Sequence, residues 1–137
     1  MKKVLLILVA IFTMCSVANA QTESKIKVIN QEEYKALFDN QTGAIATPSV
    51  FDFNAIWCGP CRKLTPILEE LAAEYEGRVH FYSIDVDNNK KLAQDLEIQS
   101  IPYVLFFAPG GGAPEKMIGL CSKEEVKAYI EKILLTK

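Results

Sequence analysis

Phe51-Asp52-Phe53-Asn54-Ala55-Ile56-Trp57-Cys58-Gly59-Pro60-Cys61-Arg62-Lys63-Leu64-Thr65-Pro66 is the stretch that decides how this chain is read. On its left, Val50-Phe51-Asp52-Phe53 is a short, mostly apolar run of strand type, suited to a strand covered on both faces and interrupted by one acid. On its right, Leu64, Ile67, Leu68, Leu71 and Tyr75 follow the spacing of one helix face, with Gly77 as the natural stop. The two cysteines therefore stand where a buried strand gives way to the longest helix. A thiolate at that point meets unpaired backbone N–H groups and the positive end of the helix dipole, so the anion of Cys58 is favoured. Cys61 lies one turn deeper on the same side, placed to attack a mixed disulfide formed by Cys58. The pair can cycle between dithiol and disulfide.

Two other uses of such a pair compete. Half a zinc site would need further soft ligands, and beyond residue 20 the chain offers only Cys121 and the single His80, at no recognisable finger spacing. A permanent structural disulfide would close so short a loop that it constrains the unfolded chain little.

Outward from this centre, Ile26 to Ile29 is a possible first strand, and Asn30 with Glu33 makes a capping box for a helix reaching about Asn40. Val79 to Val86 is the next strand, and Asn88 or Asn89 caps a short helix ending near Leu96. Tyr103 to Ala108 and Glu115 to Ile118, joined through Pro109 to Gly112, form a hairpin. Ser122 with Glu125 opens a terminal helix whose Val126, Tyr129, Ile130, Ile133 and Leu134 make one apolar stripe. The order is βαβαβαββα, an α/β chain with a central mixed sheet flanked by helices. The helical stripes are core, and no cofactor is assigned to them.

Length and charge bound the remainder. The 137 residues fit one domain behind a targeting segment, and 15 basic against 17 acidic residues leave no footprint for a phosphate backbone, so nucleic acid is excluded as the expected partner. Residues 1–20 run from Lys2 and Lys3 through an apolar stretch, Val4 to about Met14, to Ala18-Asn19-Ala20, in the order of a cleavable secretory signal. The apolar stretch is shorter than the roughly 20 residues that cross a bilayer. Cleavage is expected before Gln21, leaving one domain over 21–137 with 13 basic and 17 acidic residues, periplasmic or otherwise outside the cytoplasm. Lipid attachment through Cys15 is disfavoured by the bulky Phe12-Thr13-Met14 before it. In an oxidising compartment a dithiol stays oxidised unless electrons are supplied.

Phe51 to Pro66, with its Trp57-Cys58-Gly59-Pro60-Cys61 core, closely resembles the thioredoxin family, and Ser100-Ile101-Pro102 resembles the family's second signature. The resemblance spans about residues 26 to 135 and implies the thioredoxin fold with a redox-active Cys58–Cys61 disulfide and no other cofactor. It implies that Asp52 is a buried carboxylate that helps move the proton of Cys61; an acid inside an apolar strand should indeed be desolvated, its pKa raised. It implies a cis peptide before Pro102 that leaves the Ile101 backbone open to a substrate strand, a helix-interior Pro66 that kinks the long helix, and Gly119 at the active-site rim. Substrate contacts then fall to Trp57, Gly59, Pro60, Ile101, Pro102 and Gly119.

The chain departs from the family at Asn54, often an aromatic; at Ser83, often a lysine near the buried acid; and at Tyr103, usually a threonine. The missing lysine removes a charge that would favour ionised Asp52. Tyr103 is expected to alter substrate preference. Cys121 reads as a buried, inert thiol and His80 as structural. Gly59-Pro60 and Ile101 resemble reducing thioredoxins, so the expectation is a monomeric protein-disulfide reductase acting on disulfide-containing exported proteins and recharged by a membrane thiol reductase. An exported oxidase or isomerase, and a thioredoxin-fold binding module without turnover, are the alternatives.

Overall fold

The structure, a computed structural model, describes residues 23–136. The proposed signal segment, the cleavage point before Gln21 and Cys15 lie outside the described residues. Nine elements follow in the expected order: β1 Ile26–Val28, α1 Gln31–Ala36, β2 Ser49–Asn54, α2 Gly59–Glu74, β3 His80–Asp85, α3 Lys90–Asp95, β4 Tyr103–Phe107, β5 Glu115–Ile118 and α4 Lys123–Leu135.

The strands form one sheet in the order β1-β3-β2-β4-β5, with β1, β3 and β2 parallel and β4 and β5 antiparallel to their neighbours. The crossovers through α1 and α2 keep β1, β2 and β3 parallel, the connection through α3 returns β4 antiparallel to β2, and the short connection from β4 to β5 pairs those two as a hairpin. β2 is central, and all but its last residue are buried, as its near-continuous apolar run requires. Its side chains alternate between the two faces. Val50 packs with Leu64, Leu68, Leu71 and Tyr75 of the α2 end and with Val126 and Ile130 of α4. Phe51 and Phe53 pack on the other face with Tyr34, Tyr82 and Leu92, under α1 and α3.

Both predicted capping boxes form, at Asn30/Glu33 and Ser122/Glu125. α1 stops earlier than the predicted Asn40. Phe38 bridges to Ile45, and the Asp39 carboxylate accepts from the backbone N–H groups of Gln41 and Thr42, turning the chain back. Asn89 precedes α3 without capping it: its side chain donates to the Asp85 carbonyl and accepts from the Gln31 N–H, joining the exit of β3 to α1. Gly77, with φ of 79°, takes the left-handed turn after α2. α2 runs as one helix through Pro66.

Candidate functional site

The end of β2 and the start of α2 are joined by Ala55-Ile56-Trp57, and Cys58 is the N-cap of α2. Its extended backbone aims the sulfur at the first helical turn, where Sγ accepts from the Cys61 N–H at 3.2 Å. Gly59 and Pro60 fill the first two helical positions, and Pro60 lacks only an N–H that would have no partner there. Cys58 and Cys61 are disulfide-bonded with Cα atoms 5.3 Å apart. They are 4% and 2% exposed, so the oxidised pair is shielded as a unit beneath Ala55, Val86 and Ile101 rather than offering one sulfur freely.

Trp57 is 66% exposed, and its indole Nε1–H donates to Asp87 Oδ2 at 2.7 Å. A cleft of about 500 Å³ opens beside it, lined by Trp57, Val86, Ala93, Ile98, Ser100 and Ile101. The Ile101–Pro102 peptide is cis, and Pro102 is buried. Gly119 does not line this cleft; its N–H donates to the Pro102 carbonyl at 2.8 Å. A Cβ at Gly119 would meet nothing within 4 Å, so its φ of 87°, rather than crowding, is what asks for glycine. Ile56, Trp57 and Leu120, on loops, and Ile118, at the end of β5, are all exposed apolar side chains.

Asp52 is buried in β2, and burial pushes its carboxyl up to about 6, opposed by the Asn54 amide, which donates to Oδ2 at 2.9 Å. Ser83 stands opposite Asp52 in the register and accepts from the same amide at 2.8 Å. Sequence reasoning noted Asn54 and Ser83 as departures and missed that they bond to one another. The two-residue spacing of Asp52 and Asn54 could have shown that these two share one sheet face, but not that Ser83 joins them. Asp87 was missed altogether.

Two expectations change, at Tyr103 and at Cys121. Tyr103 lies in the core on the α1/α3 face, edge-on to Phe53, so it does not meet a docked substrate. Cys121 is half-buried rather than buried, packed against the α2/α4 core, with desolvation first and Glu125 second raising its thiol pKa. His80 is exposed at the start of β3, its Nδ1 near Thr47 Oγ1 and the Tyr82 hydroxyl.

Residues 25–132 match the family described as thioredoxin. A thioredoxin of Staphylococcus saprophyticus is 41% identical over 86 residues, 63% of this chain and 82% of that protein. A thioredoxin of Staphylococcus aureus is 42% identical over 83 residues, 61% of this chain and 79% of its own length. The crystal structure of chloroplastic thioredoxin z superposes with a TM-score of 0.70 at 29% identity, covering 79% of this chain and 93% of that one. A buried cysteine pair at the start of the helix that follows the central strand, with Cys58 as its N-cap, within a matched region covering most of the chain, leads to one conclusion: this chain belongs to the thioredoxin family and is a thiol-disulfide oxidoreductase, a protein-disulfide reductase with Cys58 and Cys61 as its active-site pair.

Proposed function

We propose that the protein reduces disulfides of exported proteins outside the cytoplasm, with Cys58 as nucleophile, Cys61 as resolving thiol and Asp52 as the group that handles the proton of Cys61. The observation that carries the assignment of roles is the N-cap position of Cys58, whose Sγ already accepts the Cys61 N–H. In the reduced protein that N–H and the helix dipole favour the Cys58 thiolate, by up to about 2 kcal/mol in a buried setting.

The thiolate attacks one sulfur of a substrate disulfide, forming a Cys58–substrate bond and expelling the other substrate sulfur as a thiolate. Cys61 then gives its proton to Asp52 and attacks Cys58 Sγ. The Cys58–Cys61 bond forms, the Cys58–substrate bond breaks, and the substrate leaves with both electrons of the former dithiol. Trp57, Gly59, Pro60, Ile101, Pro102 and Gly119 form the contact surface, with the Ile101 backbone open to pair with an extended substrate. Export rests on the order of charge, apolar stretch and Ala18-Asn19-Ala20 in residues 1–20. A membrane thiol reductase relaying cytosolic electrons restores the dithiol, and the protein works as a monomer.

Expression of Cys61→Ser in the full chain, followed by non-reducing separation and identification of captured proteins, tests this. The expected result is covalent capture of exported proteins and of one membrane protein, with no capture by Cys58→Ser. Equal capture by both variants refutes the roles of the two cysteines, and capture confined to cytoplasmic proteins refutes the location.

A further inference from the structure

Asp52, Asn54 and Val50 share the face of β2 that α2 and α4 cover. The Asn54 Nδ2 lies 2.9 Å from Asp52 Oδ2, 2.8 Å from Ser83 Oγ and 3.2 Å from the Asp52 carbonyl oxygen. Its N–H groups are thus spread over three acceptors on two strands, and the side chain cannot turn without losing them. The other carboxyl oxygen, Asp52 Oδ1, is buried and has no hydrogen-bond partner. Alongside runs a cleft of about 250 Å³ walled by Asn54, Ile56, Cys61, Arg62, Thr65 and Asp85. Asn54 and Cys61 both border it and Asp52 does not, so Asn54 stands between the buried acid and water.

Few other groups act on this carboxyl. β3 presents Ser83 and Asp85, and both Asp85 oxygens are occupied, by the Asp87 N–H and the Asn88 amide. α2 presents Cys61 and, at the cleft, Arg62. β4, β5 and α4 bring Val104, Met117 and Val126 to this face. Among the described residues no ion pair includes Asp52.

We propose that Asn54 is a positioning residue for proton transfer at Cys61: it holds Asp52 Oδ2 as an acceptor so that Oδ1 alone takes up and releases the proton. This rests on the reading of Asp52 as the proton acceptor. As Cys61 attacks Cys58 Sγ, the S–H bond of Cys61 breaks, the proton passes to Oδ1, and the departing substrate sulfur carries away the electron pair of the broken S–S bond. A neutral amide suits the task. It offsets part of the desolvation without bringing a full positive charge, which would hold the carboxylate ionised and a poor base.

The test combines two measurements on Asn54→Leu, Ser83→Ala and Asp52→Asn. The first is a carboxyl carbon NMR titration of Asp52 in the oxidised protein. The second is the pH dependence of resolution of a Cys58–thionitrobenzoate mixed disulfide, followed by thionitrobenzoate release. In Asn54→Leu the Asp52 midpoint should rise by about one pH unit, the worth of a hydrogen bond to a charged acceptor. Resolution at pH 6 should slow about fivefold, since the rate profile moves with the midpoint. Ser83→Ala, which frees the amide without removing it, should move both in the same direction by less, and it serves if Asn54→Leu fails to fold. An unmoved or lowered carboxyl midpoint, or a moved midpoint with an unmoved rate profile, overturns the role of Asn54. A rate profile that keeps its midpoint in Asp52→Asn removes instead the underlying role of Asp52.

Discussion

Replacing Asp52 by asparagine should make the protein more stable relative to the wild type as the pH rises. The carboxyl is 4% exposed, and its folded-state pKa is raised from 3.8 to about 6, by burial foremost and against the Asn54 amide. A carboxyl that binds its proton more tightly when folded contributes stability below the unfolded value of 3.8, and that contribution is lost as pH climbs to about 6. Above that, the folded protein carries a buried charge that the unfolded chain would hold in water. At 1.36 kcal/mol per decade, the wild type should lose about 2 to 3 kcal/mol relative to Asp52→Asn between pH 4 and pH 8. Asparagine keeps the shape and an acceptor for Asn54, so packing effects are common to both pH values and cancel in the comparison. Denaturant unfolding of the oxidised proteins at a series of pH values, read as the difference between the two, is the assay. A difference that does not change with pH, or that favours the wild type as pH rises, would refute the reasoning that burial dominates this carboxyl.

Two further outcomes test the scaffold. Phe51→Ala should cost about 3–5 kcal/mol in denaturant unfolding, because Phe51 is fully buried among Tyr34, Tyr82 and Phe107 with ring centroids 5.0, 4.9 and 5.6 Å away; a loss under about 1 kcal/mol would mean that face repacks freely. Ser122→Ala should cost about 1 kcal/mol by removing the side-chain half of the α4 capping box, and Ser122→Thr should restore most of it.

The element order was legible because each segment carries its own signal: β2 as a short apolar run interrupted by a single acid, α2 and α4 as single stripes, and two capping boxes whose partners lie three residues apart. What failed were the places where side chains bond across elements. Asn89 reads as a cap because asparagine before a helix commonly is one, but its amide is taken by Asp85 and its oxygen by the Gln31 N–H, a link between residues 58 apart in the chain. At the site, the Cys58 position followed from the strand-to-helix transition, and Asp52 from an acid placed among apolar residues. The Asn54–Ser83 bond depends on the β2–β3 register, and the Trp57–Asp87 bond on how the loop after β3 folds over; neither is written in local spacing. Tyr103 was misread because β-strand alternation turns the residue after Pro102 inward, away from the surface the proline borders.

Trp57 is the only tryptophan in the sequence, and it adjoins Cys58 while its indole N–H is tied to the Asp87 carboxylate. Every photon emitted under tryptophan-selective excitation therefore originates beside the reactive sulfurs. The molecule carries an intrinsic optical probe of a single locus, so binding and turnover can be followed in real time without attaching a dye.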